Sequence, residues 1–298
     1  MSTLRGCIPI LCTPFSEDGG LDLESLRREI DFVIAEGASG VAALAIASEG
    51  YKLTEAERER VTETVIEQNA GRVPVVISAD GAGTEVAIDR AARAARAGAD
   101  AVMVLPPYFV KPDQASLFTY YQRIGLEVDV PIVIQDAPQL TGVSMGPALW
   151  ARLAELVPTI QYVKTEGMPQ GATISETIRL SKGRLRVFCG WGGLGAIDAF
   201  GRGAVGSMPA PNFTRLFAGI QRNFEASRPV LAEGAFKNAL PYVLWAMQSI
   251  DFSVASAKHE LVRRGVFSSA HQRQPAIPLD EISLRQLDRF IDGCIGAQ

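Results

Sequence analysis

The sequence predicts a (β/α)8 TIM barrel followed by a C-terminal helical extension, and three observations support this α/β fold class. Helix-like segments end in Gly-Ala and lead directly into short apolar runs at residues 37–41, 98–102 and 203–207. Eight such runs begin near residues 7, 40, 73, 100, 130, 160, 185 and 204. The stretches between them have the apolar spacing of amphipathic helices. Uniformly apolar strands that alternate with helices indicate a buried parallel sheet, and eight units match a closed barrel. An open doubly wound sheet is the alternative.

Helix signals appear in order along the chain. Asp22 is a predicted N-cap before a helix that carries Leu26 and Ile30 on its apolar face. Thr54 opens the next helix, and its first turn is acidic. After Phe224 the pattern is helical only, in segments 229–249, 253–264 and 280–292. We therefore predict a catalytic barrel domain over residues 1–225 and a C-terminal helical domain over residues 226–298.

Composition limits the classes of function. The 298 residues are 47% hydrophobic and carry a net charge of −4, which argues against a nucleic-acid or anionic-membrane surface. The longest charge-free stretch, residues 137–151, is shorter than the roughly 20 residues that a membrane-spanning helix needs. No secretory signal is expected at the N-terminus, and the four cysteines follow no metal-ligand spacing. We expect a cytoplasmic protein with reduced thiols, no metal and no cofactor.

Two short motifs match known signatures but lack their context. Residues 190–195 fit GxGxxG, yet no acidic residue lies between Asp198 and Glu225 to hold a dinucleotide ribose. We expect these glycines to let the backbone approach a ligand at the barrel rim instead. Residues 142–146 fit the nucleophile-elbow pattern, with Asp251 and His259 following in hydrolase order, but no strand runs into the first glycine. Neither NAD binding nor serine-hydrolase chemistry is expected.

Lys164 is a clearer indication of function than either motif. Of the six lysines, it alone lies within an apolar strand, residues 160–165. Alternation predicts that Ile160, Tyr162 and Lys164 share one face, with Lys164 at the carboxyl end, which is the active face of a barrel. A desolvated amine favours its neutral form, which attacks carbonyl carbons. A purely structural pair with Glu166 is the alternative, and spacing alone does not decide between them.

Other polar residues follow strands in the same way. Ser48 and Glu49 come after the second apolar run, Gln135 and Asp136 after the fifth, and Ser207 after the eighth. Each could simply cap the next helix, which is the common role of Ser, Asp and Glu at such positions. Together they predict one polar rim around Lys164.

At this point the chain resembles, from end to end, the dihydrodipicolinate synthase/N-acetylneuraminate lyase family of Schiff-base barrels that act on 2-oxo acids. The resemblance rests on residues 9–14, 48–49, 106–112 and 163–166. Lys164 falls on the family's Schiff-base lysine. The resemblance implies a small-molecule 2-oxo acid as substrate and a homo-oligomer, either a tetramer or a dimer.

Three departures from the family pattern matter. Residues 45–49 read Ala-Ile-Ala-Ser-Glu where the family usually has Gly-Thr-Thr-Gly-Glu, and Gln135 stands where the family has a proton-relaying tyrosine. Leu140 occupies the position of the arginine that grips a second carboxylate in dihydrodipicolinate synthase, so that activity is not expected. Tyr108 precedes Phe109, which falls on a second tyrosine position. The Gln-Asp-Ala-Pro segment with Lys-x-Glu is similar to the 2-keto-3-deoxy-L-arabonate dehydratases.

These observations predict a Schiff-base lyase, with dehydration of a 2-keto-3-deoxy sugar acid as the favoured reaction. Lys164 is the expected nucleophile, Gln135 orients a hydroxyl or water, and proton transfer falls to Glu166, Asp136 or Glu49, which the sequence does not rank. The predicted substrate-binding residues are Ala47, Ser48, Glu49, Tyr108, Asp136, Gly190, Gly206 and Ser207. An aldolase or deaminase on the same lysine, and a 2-oxo acid binding protein without turnover, are the alternatives.

Overall fold

The computed structural model describes residues 3–295 and contains eight parallel strands. They are β1 (Gly6–Cys7), β2 (Val41–Ala43), β3 (Val75–Ser78), β4 (Ala101–Val104), β5 (Ile132–Asp136), β6 (Ile160–Thr165), β7 (Arg186–Cys189) and β8 (Gly206–Ser207). From β2 to β8 each strand pairs with the next one in sequence, and β1 pairs with β8. A parallel bridge between Ile10 and Ala42 joins the chain after β1 to β2 and closes the ring. The predicted barrel is confirmed, and the alternative prediction of an open doubly wound sheet is wrong.

Helices follow the strands around the outside of the barrel. They are α1 (Leu23–Ala35), α2 (Glu55–Asn69), α3 (Thr84–Ala97), α4 (Gln114–Glu127), α5 (Pro138–Thr141), α6 (Pro147–Leu156), α7 (Gln170–Ser181), α8 (Ala196–Gly201) and α9 (Thr214–Glu225). The predicted helix starts are confirmed by their caps. The Asp22 carboxylate accepts the N–H of Ser25 at 3.0 Å, and Thr54 forms a reciprocal capping box with Glu57.

The core has two layers, one inside the barrel and one between strands and helices. Inside the barrel, Tyr162 and Phe188 pack against each other and against smaller apolar side chains from the other strands. Ile160 packs in the outer layer instead, so the prediction that it shares the face of Tyr162 is wrong. The pairing of β5 with β6 shifts register at this point, between Ile132 and Val133, and interrupts the alternation.

Three further helices follow the barrel: α10 (Pro229–Ala246), α11 (Ile250–Arg263) and α12 (Glu281–Ile295). Their apolar side chains form one cluster with those of β7, α8 and α9, including Val187, Phe217 and Val243. Helix α11 also packs against the turn that follows β2. The division of the chain into domains at residue 225 stays a prediction. Within residues 3–295, no helix is both long and apolar enough to cross a bilayer.

Candidate active site

Lys164 lies near the carboxyl end of β6 and is buried. Its register partners are Gln135 in β5 and Phe188 in β7. The Lys164 Nζ is 2.8 Å from the Oε1 of Glu166. The structural pair considered as an alternative is therefore present, and its geometry also permits proton transfer between the two groups.

Glu166 is fixed at the end of β6 by contacts on several sides. Its N–H donates to the carbonyl of Asp136 at 2.8 Å, which continues the pairing of β5 with β6. Its Oε1 accepts a second hydrogen bond, from Gln135 Nε2 at 2.7 Å. A Cβ at Gly190 would lie 2.5 Å from the Cγ of Glu166, so the side chain fits only beside glycine. Lys164, Gln135 and Glu166 thus meet at one carboxylate oxygen.

Asp136 is the second buried carboxylate of this group. Burial raises the pKa of Asp136 to about 7, and the negative charge of Glu166 adds to the rise, while the N–H of Met145 opposes it. Its Oδ1 has no hydrogen-bond partner within residues 3–295. Near neutral pH this carboxyl group can therefore both hold and release a proton, and its Oδ1 is available to a ligand.

Replacing Asp136 by asparagine is expected to flatten the pH dependence of stability. A carboxyl group whose pKa rises from 3.8 to about 7 on folding stabilises the native state below pH 4. This contribution is lost as pH rises toward 7, by about 1.4 kcal/mol per pH unit. Because the group is already partly ionised as pH approaches 7, the free energy of unfolding should fall by about 2 kcal/mol more between pH 5 and pH 7 in the wild type than in Asp136→Asn.

Urea unfolding at pH 5, 6 and 7 would measure this difference. Asp129→Asn at an exposed position is the control and should follow the wild type. Parallel curves for Asp136→Asn and the wild type would show that Asp136 is ionised throughout this range.

The turn after β2 holds the predicted carboxylate-binding residues. Residues Ile46–Ser48 form a single turn of 3-10 helix, in which the N–H of Ser48 donates to the carbonyl of Ala45 at 3.0 Å. The expectation that this N–H meets the substrate needs correction, because it is already engaged. The Ser48 hydroxyl is buried and has no partner within the described part of the chain.

Glu49 is bound differently from the prediction. Its Oε2 is 2.9 Å from the Nζ of Lys52, and its Oε1 pairs with the Nζ of Lys258 on α11. Both carboxylate oxygens are therefore engaged by ammonium groups. The structure does not present Glu49 as a free proton acceptor or as a substrate ligand.

The remaining rim residues divide into two groups. The hydroxyl groups of Ser207 and Thr165 are buried and have no hydrogen-bond partner within residues 3–295. The same is true of the Oε1 of Gln135. Buried polar atoms are usually hydrogen-bonded, so this concentration at one end of the barrel suits a polar ligand. Gly206, in contrast, lies where a Cβ would be 2.0 Å from the carbonyl oxygen of Gly6. Its missing side chain lets β8 pair with β1.

The glycines of the GxGxxG segment also serve packing. A Cβ at Gly193 would lie 2.4 Å from the ring of Phe217, and one at Gly192 would lie 2.4 Å from the sulfur of Met247. Both glycines have positive φ values, 79° and 60°. The expectation that these glycines make room for a ligand is wrong for these two positions, because protein side chains fill the space.

A cavity of about 410 Å³ opens at the carboxyl ends of the strands. Its lining includes Ile46, Tyr51, Tyr108, Leu140 and Asp251. Burial raises the pKa of Tyr51 to about 12, and the negative charge of Asp251 adds to the rise. None of the lining residues is basic, and Asp251 is the one acidic residue among them.

Lys258 and Lys52 were not predicted as site residues; Lys258 is buried, and the side chain of Lys52 is only 4% exposed. Lys258 follows a run of small buried residues, 253–257, and that run is the signal that could have identified it. In the described residues no three potential metal ligands cluster. Cys7, Cys12 and Cys189 are free and buried, and the side chain of Cys294 lies outside the described part.

Comparison with known proteins identifies the class. The model of the dihydrodipicolinate synthetase family matches residues 3–293, and the chain therefore belongs to this family. The resemblance inferred from the sequence is confirmed. The protein is an enzyme of the lyase class found in that family.

Individual relatives differ in activity. The chain is 32% identical to L-2-keto-3-deoxyarabonate dehydratase of Azospirillum brasilense, over 91% of this chain and 88% of that protein. It is 38% identical to 4-hydroxy-tetrahydrodipicolinate synthase of Methylococcus capsulatus, over 54% and 55%. A similar solved structure is YagE of Escherichia coli K12, a prophage protein of the dihydrodipicolinic acid synthase family, in complex with pyruvate. The TM-score is 0.91 at 27% identity, covering 98% of this chain and 99% of that one.

Proposed function

We propose that this protein is a Schiff-base dehydratase of a 2-keto-3-deoxy sugar acid of the L-arabonate type. The observation that carries the proposal is the buried amine of Lys164, which shares the Oε1 of Glu166 with the amide of Gln135. An amine in this position, with a proton acceptor at 2.8 Å, is equipped to attack a ketone. The relationship to the arabonate dehydratase of Azospirillum brasilense supports the choice of substrate.

The first half-reaction forms the iminium. Glu166 accepts a proton from the ammonium group of Lys164, and the free amine adds to the C2 ketone of the substrate. Glu166 returns this proton to the carbinolamine hydroxyl, which leaves as water, so that the iminium forms and Glu166 is again a carboxylate. Its positive nitrogen withdraws electrons from C2 and acidifies the proton on C3.

The second half-reaction removes water from C3 and C4. Glu166 takes the C3 proton and an enamine forms. Asp136, whose pKa is raised to about 7, gives a proton to the departing C4 hydroxyl, which leaves as water. Hydrolysis of the unsaturated imine then returns the Lys164 amine. The environments of the two carboxyl groups separate their roles, as expected for an acid and a base in one site.

Gln135 favours dehydration over carbon–carbon cleavage. Retro-aldol cleavage needs a base on the C4 hydroxyl, and an amide cannot accept that proton as a base does. Gln135 donates to Glu166 through Nε2 and leaves its Oε1 to orient a hydroxyl group or a water molecule.

The mouth of the barrel suits a substrate with one carboxylate. We propose that the hydroxyl of Ser48 and the N–H of Ala47 receive the C1 carboxylate. At the other end, Leu140 and the acidic Asp251 offer no countercharge to a second carboxylate. Synthesis of dihydrodipicolinate is disfavoured on the same ground. We also propose a cytoplasmic homo-oligomer, tetramer or dimer, as is typical of the family.

The proposal is tested by a product screen. The purified protein is incubated with 2-keto-3-deoxy-L-arabonate and with a 2-keto-3-deoxy aldarate, which carries a second carboxylate. We expect mass spectrometry to detect loss of one water from the first substrate, with kcat/KM at least about tenfold lower for the second. Release of pyruvate would instead establish an aldolase, and release of ammonia from an amino-substituted analogue would establish a deaminase. A borohydride-trapped pyruvate adduct without turnover of any substrate would establish a binding protein.

A further inference from the structure

Three consecutive residues of the turn after β2, Ser48, Glu49 and Gly50, each form a hydrogen bond or an ion pair with side chains from other parts of the chain. The Thr13 hydroxyl donates to the carbonyl of Ser48 at 2.5 Å. The carboxylate of Glu49 is bound by lysines, and the carbonyl of Gly50 accepts from Arg58 at 3.0 Å. These groups come from the segment after β1, from α11 and the turn itself, and from α2. The turn is therefore preorganised by contacts that other parts of the chain supply.

Glu49 has a backbone conformation that needs such support. Its φ is 56° and its ψ is 25°, in the left-handed region that non-glycine residues seldom occupy. A residue held there costs about 1–3 kcal/mol, which the surrounding contacts must offset. The carboxylate of Glu49 supplies two of these contacts, with one ammonium group on each oxygen.

Lys258 links this turn to the C-terminal helices. It is fully buried on α11, and burial lowers its pKa. Its Nζ donates to Glu49 Oε1 and, at 2.9 Å, to the carbonyl of His271, and it lies 4.5 Å from the ring centroid of Phe15. Lys52 makes the parallel pair of contacts, to Glu49 Oε2 and to the carbonyl of Arg273 at 2.8 Å. A buried charge is retained at such a place only when it is paired and hydrogen-bonded.

We propose that Lys258 is a positioning residue, which through Glu49 sets the turn so that Ser48 meets the substrate carboxylate. This inference rests on the proposed function, because it assigns carboxylate binding to this turn. Lys258 itself contacts no substrate. Its removal leaves one oxygen of Glu49 unpaired in a buried site, so the left-handed residue relaxes and the Ser48 hydroxyl shifts with it.

The test uses Lys258→Met and measures how much pyruvate gives half-maximal borohydride trapping on Lys164. We expect that concentration to rise at least tenfold, about 1.4 kcal/mol, while the maximal amount of adduct stays near that of the wild type. Arg264→Met is the matched control. It removes the cation of the residue that directly follows α11, one that pairs with Glu260 and not with the turn. Its half-saturating concentration should stay within twofold of the wild type.

A folded Lys258→Met protein with an unchanged half-saturating concentration would overturn the proposal. Circular dichroism and thermal unfolding report whether it folds. If it does not, Lys258→Gln replaces it, because its shorter, neutral side chain removes the ammonium group from Glu49 Oε1 but stays polar in the buried site, and the same rise is expected. A wild type that forms no adduct would refute the proposed function instead. The role of Lys258 would then be read from hydrogen exchange at residues 45–50, where unchanged protection in the variant would overturn it and faster exchange would support it.

Discussion

Methionine in place of Lys164 is expected to abolish the borohydride-trapped adduct with pyruvate and to lower kcat by at least about 10³-fold. Methionine has a similar length but no nucleophile, so neither the iminium nor its electron-withdrawing effect on C3 can form. Glu166 keeps its hydrogen bond from Gln135 and can take up a proton, so the fold should persist. Intact-protein mass spectrometry after reduction with borohydride measures the adduct, and the product assay measures kcat.

Lys237→Met is the control for this experiment. Lys237 is exposed on α10, far along the chain from the rim residues, and its replacement should leave adduct and turnover unchanged. An adduct that survives in Lys164→Met would place the nucleophile elsewhere and remove the basis of the proposed mechanism.

Glutamine in place of Glu166 is expected to separate adduct formation from turnover. The amide keeps the volume of the side chain beside Gly190 but cannot accept a proton from Lys164 or from C3. Turnover should fall by about 10²–10⁴-fold, the usual contribution of a positioned general base. The pyruvate adduct should still form at high pyruvate, because Lys164 remains.

Glu176→Gln removes an exposed carboxylate of α7, which pairs with Arg179, and serves as the matched control. Single-turnover trapping and steady-state assays on the same preparations give both quantities. Turnover of Glu166→Gln within about threefold of the wild type would assign the base to Asp136, the other buried carboxyl group of this site.

The fold could be predicted because each barrel unit carries its own local signal. Apolar runs predicted to begin near residues 160 and 185 begin at Ile160 and Arg186, and the run predicted near 204 begins at Gly206. Glycines that end helices and strands buried on both faces are short-range features, readable from neighbouring residues. Ile160 was misplaced because a register shift between strands depends on the partner strand and not on its own sequence.

The site was only partly predictable, for a physical reason. Lys164 could be identified because a charge within an apolar strand is visible locally. The partner of Glu49 could not be identified from the sequence, because Lys258 is 209 residues away along the chain. The raised pKa of Asp136 likewise depends on burial and on the charge of Glu166, and both arise only after folding. The role of Gly206 required the carbonyl of Gly6, from the opposite end of the barrel sequence.

The close fit of Glu166 against Gly190 restricts how this enzyme can be redesigned. Any residue larger than glycine at position 190 would displace the carboxylate, so a new substrate contact cannot be introduced there by a single exchange. New specificity must therefore be built from the walls formed by the loops after β2, β4 and β5. Directed evolution of this scaffold should begin at Ile46, Tyr108 and Leu140.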